Sequence, residues 1–254
     1  MKNRTQVFVD EIISVQADKI LSIEIIGSRV GENNLAISDL DFLIICKGKK
    51  DIGAVFETAL QAQEKIFGIK PTKMNLFIQK FFLGSNSYNG IHLIIVGRDE
   101  FDDNFRPVSF RLKFMTKLIG RNIFLYEIKQ NHFLFYGENF VDKIKIEYPG
   151  FLEKLACFLF PCIILLFLPL ALFFSLRAFK IWCFKTVKYH NISLRAFAKI
   201  TKRDYAFGNS LVETAKFFRY KPDEYQGNSA VLYFRVWGHI FRNLPFIFGL
   251  KRFN

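Results

Sequence analysis

Two carboxylates separated by a single residue, Asp39 and Asp41, begin a run that continues Phe42-Leu-Ile-Ile-Cys46. On a strand, positions i and i+2 face the same way, so both carboxylates project from one face. Side by side they repel unless a cation sits between them. Hard oxygen ligands with room for water and phosphate oxygens suit Mg²⁺. Upstream, the apolar run Ile23-Glu24-Ile25-Ile26 stops at Gly27-Ser28-Arg29. Gly27 leaves space for a phosphate to approach backbone N–H groups, and Ser28 adds a hydroxyl donor at the same place. Arg29 can meet a phosphate bidentately.

The order of these parts is an apolar strand, Gly27-Ser28-Arg29, nine further residues ending in Ser38, then Asp39-x-Asp41 and a second apolar strand. It resembles the signature of the polymerase-β-like nucleotidyltransferase superfamily. That resemblance implies an α+β fold, a mixed sheet with flanking helices. It also implies that Asp39 and Asp41 are catalytic metal ligands and that Gly27, Ser28, Arg29 and Ser38 surround a nucleotide. The cofactor implied is Mg²⁺, with ATP or another NTP as substrate and an NMP group passed to a hydroxyl of a small molecule or protein. In the family, two metal ions align the attacking hydroxyl with the α-phosphate and stabilise the leaving pyrophosphate.

Catalytic members carry a third carboxylate on a following strand, and here the pattern departs. The expected positions hold Asn75, in Lys73-Met74-Asn75-Leu76-Phe77, and His92, in Gly90-Ile91-His92-Leu93-Ile94. Asn offers an oxygen but takes no proton, whereas His can act as a base but is a poor Mg²⁺ ligand. A degenerate nucleotidyltransferase fold that binds without turnover is therefore a competing expectation. A further stretch, Phe133-Leu-Phe-Tyr136-Gly137-Glu138, resembles the Leu-Tyr-Gly-acid segment of aminoglycoside adenylyltransferase-like members. The resemblance covers about residues 5–140.

The elements that must position these residues follow from periodicity. Val7, Phe8, Ile12, Ile13 and Val15 recur at helical spacing ahead of the first strand. Asp51 can cap a helix running to about Phe67, with Val55, Phe56 and Leu60 inward. Met74–Ile78 and Ile91–Val96 read as strands and Pro107–Ile119 as a helix, with Asp99 and Glu100 as residues at a helix start. These readings place a nucleotidyltransferase-like domain at residues 1–148 and a helical C-terminal region at 149–254.

The second region differs in composition. Leu155–Leu176 is 22 residues without a charge, interrupted by Pro161, Pro169 and Ser175. About 20 apolar residues suffice to cross a bilayer, while the two prolines favour a bent or re-entrant path over one straight span. A buried helical hairpin is the competing expectation. Arg177–Arg203 then carries eight Lys or Arg and no acid. Residues 1–150 hold 20 basic against 18 acidic residues, and 151–254 hold 16 against 5. Such asymmetry points to an acidic partner, and anionic membrane lipid and nucleic acid are the candidates. A nucleic-acid-modifying enzyme is thus a third reading. The basic run after the apolar segment places that side in the cytoplasm, so the expected location is the cytoplasmic face of a membrane, or else the soluble cytoplasm. With 32 Phe in 254 residues, low-complexity disorder is excluded. The four cysteines lie at no metal-ligand spacing and read as buried, reduced thiols. The first twenty residues lack an apolar run with a small-residue cleavage site, so no signal peptide is expected.

Overall fold

The computed structural model describes residues 4–27, 40–68, 91–173, 175–205, 210–219 and 221–249. They form two compact units, Met1–Met115 with Ile128–Lys145, and Thr116–Glu127 with Ile146–Asn254. The architecture is α+β, with a mixed sheet and flanking helices in the first unit and helices throughout the second.

The first unit is built on strands β1 (Ile20–Ile26), β2 (Leu40–Cys46), β3 (Ile91–Gly97) and β4 (His132–Gly137), in the spatial order β3-β2-β1-β4. β1 runs antiparallel to β2 and β4, while β2 and β3 are parallel. Helices α1 (Arg4–Gln16) and α2 (Ile52–Phe67) cover one face, because alternate strand residues are apolar and match the inward stripe of each helix. Phe8, Ile12, Ile23, Phe42, Ile44 and Leu93 fill that interface, with the Phe8 and Phe42 rings 4.8 Å apart. The buried side of α1 is Thr5, Phe8, Val9, Ile12 and Gln16. Val7 and Val15 are exposed, so two of the apolar positions that mark the helix lie outside its core face. On α2, Val55 and Phe56 are buried as expected, and Gly68 closes the helix at φ +68°.

Asp99 and Glu100 sit in a short turn after β3 and have structural partners. Asp99 Oδ1 accepts from the Lys49 N–H at 2.8 Å, and Glu100 Oε2 accepts from the Gly97 N–H at 3.1 Å. The expected helix near Pro107–Ile119 is α3, Phe110–Ile119, followed by α4, Arg121–Gln130. The expected strand at 74–78 lies outside the described residues.

In the second unit, α5 (Phe151–Phe167) continues as a 3-10 turn over Leu168–Phe173 and then gives way to the 26-residue α6 (Leu176–Thr201). Ser175 caps α6, its hydroxyl accepting from the Ala178 N–H at 2.9 Å. Helices α7 (Ser210–Phe218), α8 (Ser229–Arg242) and α9 (Leu244–Phe248) complete it. Cys162, Leu165, Phe184, Val187, Leu232 and Val236 make one apolar cluster; Ile123, Cys157, Leu194, Phe197 and Ile247 belong to another. All four cysteines are buried and free. Burial pushes the Cys46, Cys157 and Cys183 thiols up to about 12, as expected of inert packing groups.

Candidate functional site

The sheet face turned away from α1 and α2 carries the polar residues of the strands. A register shift between Ile20 and Ser22 turns the remainder of β1 so that Ile23 and Ile25 face the helices. Glu24 and Ile26 then share the other face with Asp41 of β2 and His92 of β3. Asp41 is paired in register with Ile26 on one side and His92 on the other. Parallel pairing of β2 and β3 therefore sets the Asp41 carboxylate and the His92 ring side by side. His92 Nδ1 stands 2.5 Å from Asp41 Oδ1, with the two side chains 17% and 26% exposed. A contact this close fixes the carboxylate's orientation.

Gly27 closes β1 with φ +87°, and its N–H donates to the Asn131 carbonyl at 2.7 Å. A β-carbon at Gly27 would stand 2.8 Å from Asp41 Oδ2. The missing side chain thus leaves room for the second oxygen of Asp41 to lie against the turn. His92 contacts the carboxylate at Oδ1, and Oδ2 lies against Gly27.

Of the residues singled out from sequence, Gly27, Asp41 and His92 come together here. Ser28, Arg29, Ser38, Asp39 and Asn75 lie outside the described residues. Among the described residues, no three His, Cys, Asp or Glu side chains form a metal-binding group.

Glu24 is the residue of this face that sequence reasoning passes over. It is fully buried and accepts at Oε1 from the Ser22 hydroxyl at 3.1 Å and from the Val141 N–H at 3.4 Å. Burial pushes its carboxyl above the ordinary range, and the neighbouring His132 opposes that shift. The signal is a lone acid inside Ile23-Glu24-Ile25-Ile26. Buried acids almost always have partners. His132, opposite Ile26 on β4, donates from Nδ1 to the Lys129 carbonyl at 2.9 Å. The Phe133–Tyr136 stretch noted from sequence is thereby part of β4, beside β1.

No family model matches the chain, and no curated protein matches it. Among solved structures it is similar to a spectinomycin adenyltransferase from Enterococcus faecialis determined with ATP and spectinomycin. The identity is 16% and the TM-score 0.41, over 86% of this chain and 98% of that one.

Proposed function

We propose that the chain is a Mg²⁺-dependent nucleotidyltransferase that passes an NMP group from an NTP to a hydroxyl of a small molecule or protein. The observation that carries this reading is the juxtaposition of Asp41 with the Gly27 turn. The Asp41 oxygen that His92 does not contact suits a hard cation, and a glycine turn beside it suits a phosphate. Asp39, the other carboxylate that the sequence implies, would complete the ligand pair. The ion, when bound, neutralises the triphosphate and the charge that develops on the leaving pyrophosphate. The acceptor oxygen bonds to the α-phosphorus, the bond to pyrophosphate breaks, and the hydroxyl proton passes to solvent. In this scheme His92 holds Asp41 in orientation through Oδ1.

Asp41→Asn is the direct test, with transfer of label from α-labelled ATP as the readout. Transfer should fall by on the order of a hundredfold or more, while the melting temperature stays near that of the native chain. Equal transfer by both proteins would overturn the proposal.

One observation favours a second reading, a nucleotide-binding protein without turnover. The third position on β3 is a histidine that already occupies one oxygen of Asp41. ATP binding by calorimetry, with no pyrophosphate released over a panel of acceptors, would select that reading.

A further inference from the structure

The helix that begins the second unit has two unlike sides, and neither is polar. Cys157, Pro161, Cys162 and Leu165 of α5 are buried within the unit, against α6 and α8. The opposite side presents Leu159, Ile163, Leu166 and Phe167, and the stripe continues through Leu170 and Phe173 of the following turn. Leu166 is 66% exposed and Phe173 86%. Soluble helices keep a wet face, and exposed apolar stretches of this extent mark interaction surfaces.

A second stripe adjoins the first. The outward positions of α8 include Val231, Phe234 and Phe241, interleaved with exposed Arg235 and Arg242. The two helices touch at this side. The Phe158 and Phe241 rings are 5.6 Å apart, Trp237 stacks on Phe241 at 5.7 Å, and the Tyr233 hydroxyl donates to the Leu165 carbonyl at 3.0 Å. No acid occurs on α8, and the one acid of α5, Glu153, accepts from the Asn122 side chain at 2.9 Å. The surface is therefore apolar, aromatic and cationic, with no carboxylate of its own directed outward from either helix.

We propose that the second unit lies on an anionic lipid bilayer, with the outer sides of α5 and α8 sunk into the headgroup layer and no part of these helices crossing it. Large apolar groups with arginines along one helix face are the composition of interfacial helices. Anionic headgroups then satisfy Arg235 and Arg242 while the acyl boundary takes the leucines and phenylalanines. Although Phe151–Phe173 is long and apolar enough to span, one side of it already packs inside a charged helical bundle. Spanning would draw the cations of α6 into the hydrocarbon, which is costly. Self-association is the poorer use of the surface. Residues 151–254 carry 16 basic against 5 acidic residues, so two copies repel. The proposal is independent of the nucleotidyl-transfer reading, since lipid binding needs no nucleotide.

The test is flotation of the full-length protein with phosphatidylcholine vesicles that do or do not contain phosphatidylglycerol. Binding should require the anionic lipid and be released by alkaline carbonate. The double variant Phe167→Glu/Phe234→Glu should bind about tenfold more weakly or worse, and Arg235→Gln/Arg242→Gln should lose the preference for anionic lipid. Brominated lipid should quench tryptophan fluorescence of the unaltered protein, a readout that needs no variant to fold. Four outcomes would overturn the proposal: undiminished binding by the glutamate variant, retention through carbonate extraction, a solution dimer that the glutamate variant splits, or binding to RNA in place of vesicles.

Discussion

At Gly27 the backbone and the carboxylate of Asp41 compete for one small volume. The nearest atoms that a β-carbon there would meet belong to the Asp41 side chain, with Oδ2 closest at 2.8 Å, so the carboxylate is what must move. Alanine at this position also has to hold φ +87°, which costs about 1–2 kcal/mol. Gly27→Ala should therefore lower stability modestly and, on the proposed function, cut nucleotidyl transfer by on the order of a hundredfold, because the carboxylate proposed to hold the metal is displaced by about an ångström. Gly53→Ala is the control, since it lies in α2 with open space around it, and it should be neutral or slightly stabilising in thermal melts. At this scale the sequence was legible wherever residue type alone dictates chemistry. The closeness of Gly27 and Asp41 is readable from spacing, because a strand that ends in a glycine turn followed by a strand-borne acid brings the two together across paired strands. The order of elements names His92 as a candidate neighbour of Asp41, but not which carboxylate oxygen its ring meets. That contact depends on a register between two strands that sequence patterns leave free to slide.

Elements, rather than residues, decide how the second unit responds to acid. On α6, Thr186, His190 and Asn191 interrupt an otherwise apolar buried stripe, and His239 and Asn243 do so on α8 and at its end. The two imidazole rings meet edge to face with centroids 5.3 Å apart. The Tyr205 hydroxyl donates to Asn243 Oδ1 at 2.8 Å, and Asn243 Nδ2 donates to the His239 carbonyl at 2.7 Å. Burial, and second the neighbouring His239, lowers His190 to about 3; burial, and second Arg242, lowers His239 to about 4. A histidine held neutral in the fold contributes its full stability above the unfolded value near 6.5. That contribution is lost as pH falls from 6.5 toward 4, because the unfolded chain binds the proton first. At pH 5 each ring should cost about 2 kcal/mol relative to pH 7.5. Denaturant titrations at the two pH values should show that loss, and His190→Leu should remove about half of it. An unchanged acid limb in the variant would show that other groups carry it. The element boundaries were readable in α2 and β3, although the Asp51 side chain does not cap α2 and accepts instead from the Gly48 N–H at 3.1 Å. They were less so in α1, whose apolar spacing included Val7 and Val15 although both face solvent. Periodicity marks a helix but does not say how wide a stripe the sheet will cover.

At the scale of the whole molecule, the charge imbalance and the change of composition past residue 149 are plain in the sequence. The path of the chain between the units is not, because it is set by tertiary packing. Thr116–Glu127 belongs with the C-terminal helices, although sheet residues follow it. Ile123 is buried among Cys157, Leu194 and Phe197, and Asn122 Nδ2 donates to Glu153 Oε1. A fragment comprising residues 1–148 keeps every described strand but strips that segment of its partners. Such a fragment should bind the apolar dye ANS and elute as aggregates in size-exclusion chromatography, where the full chain should do neither. Charged replacement of Ile123 within the fragment should restore solubility. The same interleaving has a consequence for biosynthesis. As the chain leaves the ribosome, Asn122 emerges 31 residues ahead of Glu153, while β4 arrives in between and can already close the sheet. The nascent protein must carry the Thr116–Glu127 segment, which belongs to the later unit, alongside a nearly finished first one. That interval is when a chaperone has the most to cover.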